Sequence, residues 1–410
     1  MKGNAKLLTG LALGGLLIGA LALWGLPLLA QQTNFLLGFI AGGGFVLSVL
    51  ALRGLGKKST GRSLPLRWTL GGLLGAMLIL SLAFLLFRQQ QQEAAQLRFQ
   101  RSSEAQQYAL TQATRSSGQV QLMSTLLAQL GEELDRSSQR TLSDASIIRI
   151  AALSQSLQPY RYLVGDSLSV EALSPERGQL LTALAGLRID SSTFELIKYR
   201  VSFAGADLTK AQLMGLDLSR ANLRGASFKE ADLRRTQLSR ADLRGANFWG
   251  VRGDEANFSR ANMKRAHLQW GSFDGANFNR AQLDGADLTA AKLRKTDFKA
   301  ADIKWAVLGA AAFDEADFTG SRLFWSDLSR ASLSKAQLNN ADIRRVNLSD
   351  AILTEADLTE ALLDKIEVIE SDWLDQLKTW KVKGITNIHQ HYKLVKNPYG
   401  VPEFKLAVLR

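Results

Sequence analysis

Residues 201–225 read VSFAG ADLTK AQLMG LDLSR ANLRG, five successive groups of five residues built to one plan. Each group has a small residue, a polar residue, a large apolar residue and two mostly polar residues. The plan repeats 33 times between Val201 and Leu363 without losing phase. The third position is Leu twenty times, Phe nine times and Ile twice, and the two exceptions are Met263 and Gly253. The first position is Ala in 24 of the 33 groups, which indicates a narrow interior.

A period of five fits neither an α-helix, with its period of 3.6, nor a β-strand, with its period of 2. If each group forms a short extended side followed by a corner, its first and third residues both point inward. Four such sides close a square coil, and stacked coils pair their backbones at roughly 4.8 Å. Residues that are 20 apart then lie above one another. The sequence therefore predicts a β-solenoid filled by stacked Leu and Phe side chains.

The pattern A(D/N)LXX, as in Ala206-Asp207-Leu208, resembles that of the pentapeptide-repeat proteins. The resemblance covers about 165 of the 410 residues. It implies a right-handed quadrilateral β-helix with four groups per coil, so the 33 groups would form about eight coils. At the spacing of β-strands, eight coils extend over about 40 Å.

Three local predictions follow from the coil of 20 residues. Phenylalanines should form a ladder inside one face at Phe258, Phe278, Phe298 and Phe318. Gly253 has no side chain to fill its coil, which predicts a local bulge or thin spot. Aspartates at the second position are expected to be corner residues that accept hydrogen bonds from nearby backbone amides. Examples are Asp207, Asp232, Asp242, Asp287 and Asp302.

The first 87 residues have the composition of a membrane domain. They contain seven basic residues, no acidic residue and three apolar segments at 7–30, 35–52 and 68–87, each close to the roughly 20 residues of a membrane-spanning helix. Basic residues between the second and third segments place the N-terminus in the cytoplasm by the positive-inside rule. Three spans would put the repeats outside the cytoplasm. If segment 35–52 does not span, the repeats lie in the cytoplasm instead.

The segments on either side of the repeats are expected to close the two ends of the solenoid. Residues 88–200 predict a helical stalk and an N-terminal cap, with helix starts at Ser143 and at Ser174-Pro175. A seam of apolar residues at Val120–Leu134 leaves two alternatives open, a packed hairpin within the chain and a coiled coil. Residues 364–410 predict a capping helix behind Ser371 and a small hairpin. Its strands would be Tyr392–Lys396 and Phe404–Val408.

The residues needed for catalysis are scarce. The chain has no Cys and only three histidines, His267, His389 and His391, without a third residue at diagnostic ligand spacing. It also lacks a phosphate-binding glycine motif and a nucleophile elbow. We therefore expect no enzyme activity, no cofactor and no metal site.

Outward positions of the repeats suggest two candidate surfaces. A basic stripe consists of one ladder at Arg220, Arg240, Arg260 and Arg280 and a second line at Arg224, Arg244 and Lys264. Acidic neighbours such as Asp242 could neutralise it, or it could be free for an anionic partner. An aromatic cluster at Trp305, Phe324 and Trp325 should be contiguous. It is either a docking surface or covered by the C-terminal tail.

These observations predict a membrane-anchored, non-enzymatic scaffold whose rigid repeats bind an unidentified protein. A membrane sensor or signal-transmission component is the alternative. Some soluble members of the family that this chain resembles protect topoisomerases by imitating DNA, and imitation requires a strongly negative surface. The repeats have 23 basic and 21 acidic residues, a net charge of +2, so a DNA mimic is disfavoured and no nucleic-acid partner is expected.

Overall fold

A computed structural model of the chain describes residues 66–164, 167–386 and 388–409. Side chains are described from Ser81 onward, except at 113, 115 and 163–167. The chain divides into two compact units, residues 1–101 and 102–410. The apolar segments 7–30 and 35–52 lie outside the described residues. Among the helices in the described part of the chain, none is both long and apolar enough to cross a bilayer.

The described part of the first unit, residues 66–101, belongs to one long helix that continues into the second unit. The second unit begins with helices and a two-stranded sheet, continues with the repeats and ends with short helices and a three-stranded sheet. Before the repeats lie α1 (Leu66–Arg136), α2 (Asp144–Ser156), β1 (Leu163–Val164), β2 (Ser167–Leu168), α3 (Pro175–Gly186) and α4 (Ser191–Arg200). After them lie β3 (Glu367–Val368), α5 (Trp373–Thr379), α6 (Ile388–His391), β4 (Tyr392–Lys396) and β5 (Phe404–Val408).

The end of α1 packs within the chain. Met123, Leu130 and Leu134 are buried in the same apolar core as Ile147 and Ile150 of α2. This is the packed-hairpin alternative, and these residues are not available as a coiled-coil seam. The Glu133 carboxylate of α1 also accepts hydrogen bonds from the Ser143 backbone N–H at 2.6 Å and the Ser146 hydroxyl at 2.5 Å, which ties α1 to the start of α2.

Both helix starts that the sequence predicts before the repeats are confirmed. Ser143 caps α2 and Ser174 caps α3, with Pro175 as the first residue of α3. Ser174 also joins the first coil, because its N–H donates to the Gly205 carbonyl at 2.7 Å and its carbonyl accepts from the Asp207 N–H at 3.0 Å. The N-terminal helices therefore cover the open end of the solenoid through backbone hydrogen bonds as well as apolar packing.

The repeats form stacked square coils. Residues at the second position bridge in parallel to residues 20 further on, as in Ser202 to Asn222 and Asp207 to Ser227, along four ladders. We number the four sides of each coil as faces 1 to 4, which in the second coil are residues 221–225, 226–230, 231–235 and 236–240. The large third-position side chains from Phe203 to Leu363 are 0–5% exposed, so the predicted interior is confirmed. Each such side chain contributes about 1.5–3 kcal/mol when fully buried.

Every corner of the solenoid uses a left-handed backbone. The fifth residue of each group has positive φ, from 54° at Ala300 to 71° at Gly215. A hydrogen bond closes most corners, as from the Ala206 N–H to the Phe203 carbonyl at 3.0 Å. No group in this window has Val, Ile or Thr at the fifth position. Branched side chains are strained in this conformation, so the corner geometry explains their absence.

The predicted phenylalanine ladder forms inside the solenoid, with ring centroids 4.8–4.9 Å apart and nearly parallel planes. The prediction of a bulge or thin spot at Gly253 is wrong. Its N–H donates to the Ser272 carbonyl at 2.6 Å in the regular ladder, and the Phe273 ring from the next coil occupies the space beside it. A Cβ on Gly253 would lie 2.7 Å from this ring, and a Cβ on Gly271 would lie 2.4 Å from it.

The C-terminal end is closed by α5 and a sheet in the order β3-β5-β4. Trp373 and Leu377 of α5 are buried, as a lid requires. The helix begins at Trp373 after Asp372, so the expectation that Ser371 caps it is wrong. The hairpin of β4 and β5 has the predicted residues, and β3 adds a third strand that the sequence analysis did not anticipate.

Candidate docking surfaces on the repeats

The aromatic cluster lies on two consecutive coils. Its residues occupy the fifth position of a group, which is the corner, or the fourth position, which precedes the corner. Trp305 and Trp325 occupy fifth positions, one coil apart, and Phe324 precedes Trp325. The rings of Trp305 and Phe324 meet edge to face with centroids 5.5 Å apart. Positive φ values of 55° at Trp305 and 63° at Trp325 hold both residues at the corner. Their side chains therefore project from a rigid backbone.

The described part of the C-terminal tail does not cover this cluster. Trp305 is 57% exposed and Trp325 is 50% exposed, whereas Phe324 is partly buried between its neighbours. Trp249 and Trp270 are exposed as well, but they lie on face 2. Adjacent large aromatic side chains in contact with water are typical of a protein interaction surface.

Two cations flank the cluster, and the sequence analysis missed both. The Lys304 ammonium lies 5.4 Å from the Trp305 ring centroid and 5.8 Å from that of Phe324. The Arg345 guanidinium lies 4.6 Å from the centroid of Trp325. These are cation–π distances, and they fix the orientation of the exposed rings. The period of 20 would have shown the Arg345 contact, since Arg345 follows Trp325 by one coil.

The second line of the basic stripe is partly neutralised. Arg244 pairs with Asp242 at 2.5 Å, and Lys264 pairs with Asp284 at 3.1 Å. The hydrogen bond from Arg244 holds the pKa of the Asp242 carboxyl below its usual value. Among the described residues, Arg224 has no carboxylate within ion-pair distance. Acidic neighbours thus balance two of the three residues in this line.

The first ladder has a different environment. Within the described part of the chain, no carboxylate lies within 4.0 Å of the guanidinium groups of Arg220, Arg240, Arg260 and Arg280. The first three of these arginines and the preceding serines line an open groove of about 610 Å³, with Glu195 and Asp217 at its N-terminal end. Asp217 itself pairs with the buried Lys198 at 3.1 Å. The ladder is therefore a row of exposed arginines that form no ion pair with the described residues.

The aspartates at second positions act mainly as corner residues. Asp207, Asp232, Asp242 and Asp287 each accept a hydrogen bond from the backbone N–H two residues later. Asp302 differs, because its carboxylate pairs with Lys304 and Arg322 instead. In the described residues no group of three or more potential ligands could hold a metal ion. His389 lies 3.5 Å from Asp375, and no metal-binding group of three or more such residues includes it within the described part of the chain.

The family model for pentapeptide repeats matches eight copies at residues 199–320 and 326–364. This region therefore consists of pentapeptide repeats, which implies a right-handed quadrilateral β-helix. A search of curated proteins gives no significant match.

Several solved structures are similar to the repeats. HetL, a pentapeptide repeat protein involved in heterocyst differentiation regulation in the cyanobacterium Nostoc sp. strain PCC 7120, is 29% identical, with 42% of this chain and 84% of HetL covered and a TM-score of 0.24. QnrB1, a plasmid-mediated fluoroquinolone resistance protein, is 16% identical, with 44% and 96% covered and a TM-score of 0.33. A pentapeptide repeat protein from the thylakoid lumen of Arabidopsis thaliana is 24% identical, with 31% and 73% covered and a TM-score of 0.14.

Proposed function

We propose that this pentapeptide-repeat chain is a membrane-anchored, non-enzymatic scaffold that binds a protein through the aromatic cluster of Trp305, Phe324 and Trp325. The observation that carries the proposal is the exposure of two tryptophans on adjacent coils of a rigid solenoid. Burying such rings in a partner removes a large apolar area from water and costs little side-chain entropy.

Membrane anchoring is supported by the composition of residues 1–87, which have three apolar segments and no acidic residue. Near the described start of α1, Leu82, Leu85, Leu86 and Phe87 are 46–62% exposed, although no described helix is both long and apolar enough to cross a bilayer. Side chains of this type at consecutive turns are stable in contact with lipid. We place the N-terminus in the cytoplasm and the repeats outside the cytoplasm. If segment 35–52 does not span the membrane, the repeats lie in the cytoplasm instead.

The docking proposal is tested with the full chain in neutral detergent. The protein that binds the cluster is recovered by co-purification with the chain. Trp305→Ala combined with Trp325→Ala should abolish this recovery. The matched control is Trp249→Ala combined with Trp270→Ala, which removes two exposed tryptophans from face 2 and should leave recovery unchanged. Equal recovery with both double variants would contradict the assignment of the cluster.

Topology is tested separately. Alkaline-phosphatase and fluorescent-protein fusions after residues 32, 60 and 95 report the compartment of each junction. Phosphatase activity after residues 32 and 95, with fluorescence after residue 60, is the pattern expected for three spans. Fluorescence after residue 95 would place the repeats in the cytoplasm.

A sensor or signal-transmission role is the second candidate. It is suggested by the helical stalk that follows the predicted membrane domain in the sequence. A DNA-mimic role is disfavoured by the net charge of +2 over the repeats. Inhibition of DNA gyrase by the purified chain in a supercoiling assay would reverse that judgement.

A further inference from the structure

The aromatic cluster and the basic stripe occupy the same face of the solenoid. Residues 20 apart share a column, so Phe324 lies in the column of Arg224, Arg244 and Lys264, further along face 1. The ladder from Arg220 to Arg280 lies at the corner through which the chain enters this face. Two surfaces that are separated in the sequence therefore form one continuous surface, which we call the basic-aromatic face.

Charge is strongly polarised toward this face. In the window 201–363, face 1 and the ladder together carry twelve Lys or Arg residues and four Asp residues. The remaining faces carry eleven basic and seventeen acidic residues. The net charge of +2 thus conceals +8 on one side and −6 on the others. A local excess of this kind attracts a partner of opposite charge and accelerates association.

The aspartates on the face are already paired with cations of the same face. Asp242, Asp284, Asp302 and Asp342 form ion pairs with N–O distances of 2.5–3.3 Å. The ladder arginines have no carboxylate within 4.0 Å in the described chain, as shown above. Like charges one strand spacing apart repel each other, and carboxylates of a partner would remove this repulsion.

We propose that the protein bound by the aromatic cluster presents an acidic surface to the arginine ladder. This inference rests on the proposed docking function and specifies its partner. The ladder and the cluster together extend from Arg220 to Trp325, which is 105 residues or about five coils, and so over about 25 Å at the spacing of β-strands. A standard interface of about 800 Å² per partner is wide enough to cover this length.

The mixed charges near the cluster favour a protein over a membrane or a nucleic acid. Asp302 and Asp342 lie on the same face as Trp305 and Trp325. Both carboxylates are already paired with cations, so the surface around the tryptophans is mixed in charge, and a protein can match such a surface whereas an anionic bilayer or a duplex presents negative charge alone. The same protein can offer carboxylates to the arginines and an apolar pocket to the two tryptophans.

The experiment is site-specific photo-crosslinking of the full chain in the cells from which it comes. Benzoylphenylalanine is placed at position 305 in the cluster or at position 280 at the end of the ladder. Both positions should crosslink to the same protein, and the peptide captured from position 280 should be rich in Asp and Glu. A different protein at position 280, or a peptide without acidic excess, would overturn the inference.

A charge-reversal pair adds a quantitative measurement. Arg240→Glu with Arg260→Glu should reduce the crosslink yield from position 305 at least tenfold. The matched control is Lys295→Glu with Lys335→Glu, since both lysines occupy left-handed fifth positions at another corner, with φ of 55° and 58°. The control should change the yield less than twofold. Equal effects of the two pairs would refute the role of the ladder.

The alternative partners are tested with defined probes. The purified chain in neutral detergent is titrated with vesicles containing phosphatidylglycerol and with duplex DNA, and neither should bind in a ladder-dependent manner. Binding that Arg240→Glu with Arg260→Glu abolishes would overturn the inference in favour of that probe. If position 305 crosslinks a protein but the ladder has no effect, only the acidic-partner inference fails. If position 305 captures no protein, the proposed docking function fails as well.

Discussion

Replacing Gly253 by alanine tests how the solenoid accommodates its one third-position glycine. The new methyl group would lie 2.7 Å from Cδ1 and 2.8 Å from Cε1 of Phe273. These atoms belong to a buried ring that contacts Phe258 and Phe278 edge to face, with centroids 5.9 Å away in both cases. On its other side the ring lies against the backbone of Gly271, where a built Cβ would be only 2.4 Å from Cε2, so a shift of the ring in that direction would bring it closer to this backbone.

Two opposing effects determine the size of the change. Overpacking a closely packed core costs about 1–3 kcal/mol. A compatible change from glycine to alanine gains about 0.4–1 kcal/mol by restricting the unfolded chain. We therefore expect Gly253→Ala to lower the free energy of unfolding by about 1–2 kcal/mol. Gly309→Ala is the matched control, because its nearest atom would be 3.5 Å away, and it should be neutral or stabilising.

The assay is urea unfolding of the full chain in neutral detergent, followed by tryptophan fluorescence and circular dichroism. Repeat arrays do not always unfold in one step, so coincidence of the two signals is checked before midpoints are compared. Gly253→Ala combined with Phe273→Leu should show a favourable coupling of about 1 kcal/mol, since the methyl group fills space that the ring leaves. An unfolding midpoint for Gly253→Ala equal to that of Gly309→Ala would refute this account of the packing.

Three further predictions concern the cap, the corners and the aspartates. Gly178→Ala should destabilise the chain by about 2 kcal/mol or more, because its Cβ would lie 2.0 Å from the Asp207 carbonyl oxygen; thermal unfolding measures this. Lys335→Val should lower the free energy of unfolding in urea by about 1–2 kcal/mol, because φ is 58° and a branched side chain is strained in this left-handed conformation. Lys335→Gly should be nearly neutral, because glycine adopts this conformation without strain. Hydrogen bonds from arginines lower the pKa of Asp242 and Asp342, so their contribution is present above the unfolded pKa of about 3.9 and is lost as pH falls through the lower folded values. Replacing both with Asn should therefore reduce the fall in the free energy of unfolding, measured in urea, as the pH is lowered below about 4. An unchanged pH dependence in this range would refute their contribution.

The period of five was sufficient to predict the solenoid, because the two inward positions recur with almost no exception. The same periodicity located the phenylalanine ladder and the residues of the aromatic cluster. The hairpin and the Ser174 cap lie outside the repeats and were predicted from local turn and cap chemistry. Such short-range signals fix where an element begins, but they do not show that β3 would join the hairpin as a third strand.

The errors arose where one coil affects the next. Gly253 appeared as a vacancy in its own group, yet the Phe273 side chain 20 residues later fills that space. Likewise, the corner conformation was visible only as the absence of Val, Ile and Thr at fifth positions, a signal that individual groups do not reveal. The Ser371 cap failed for a different reason, because the helix begins one residue later than the composition suggested.

The distribution of charge over the four faces of the repeats differs from what their composition suggests. A composition with 23 basic and 21 acidic residues suggests a neutral surface that excludes electrostatic recognition. Folding assigns each outward residue to one of four faces, and the assignment separates the charges while the backbone remains regular. The solenoid stacks equivalent positions at one strand spacing, so even a modest bias at one position of the 20-residue coil becomes a stripe. The binding properties of such a protein are therefore set by the order of its charges along the chain, and two sequences of identical composition could present opposite faces to a partner.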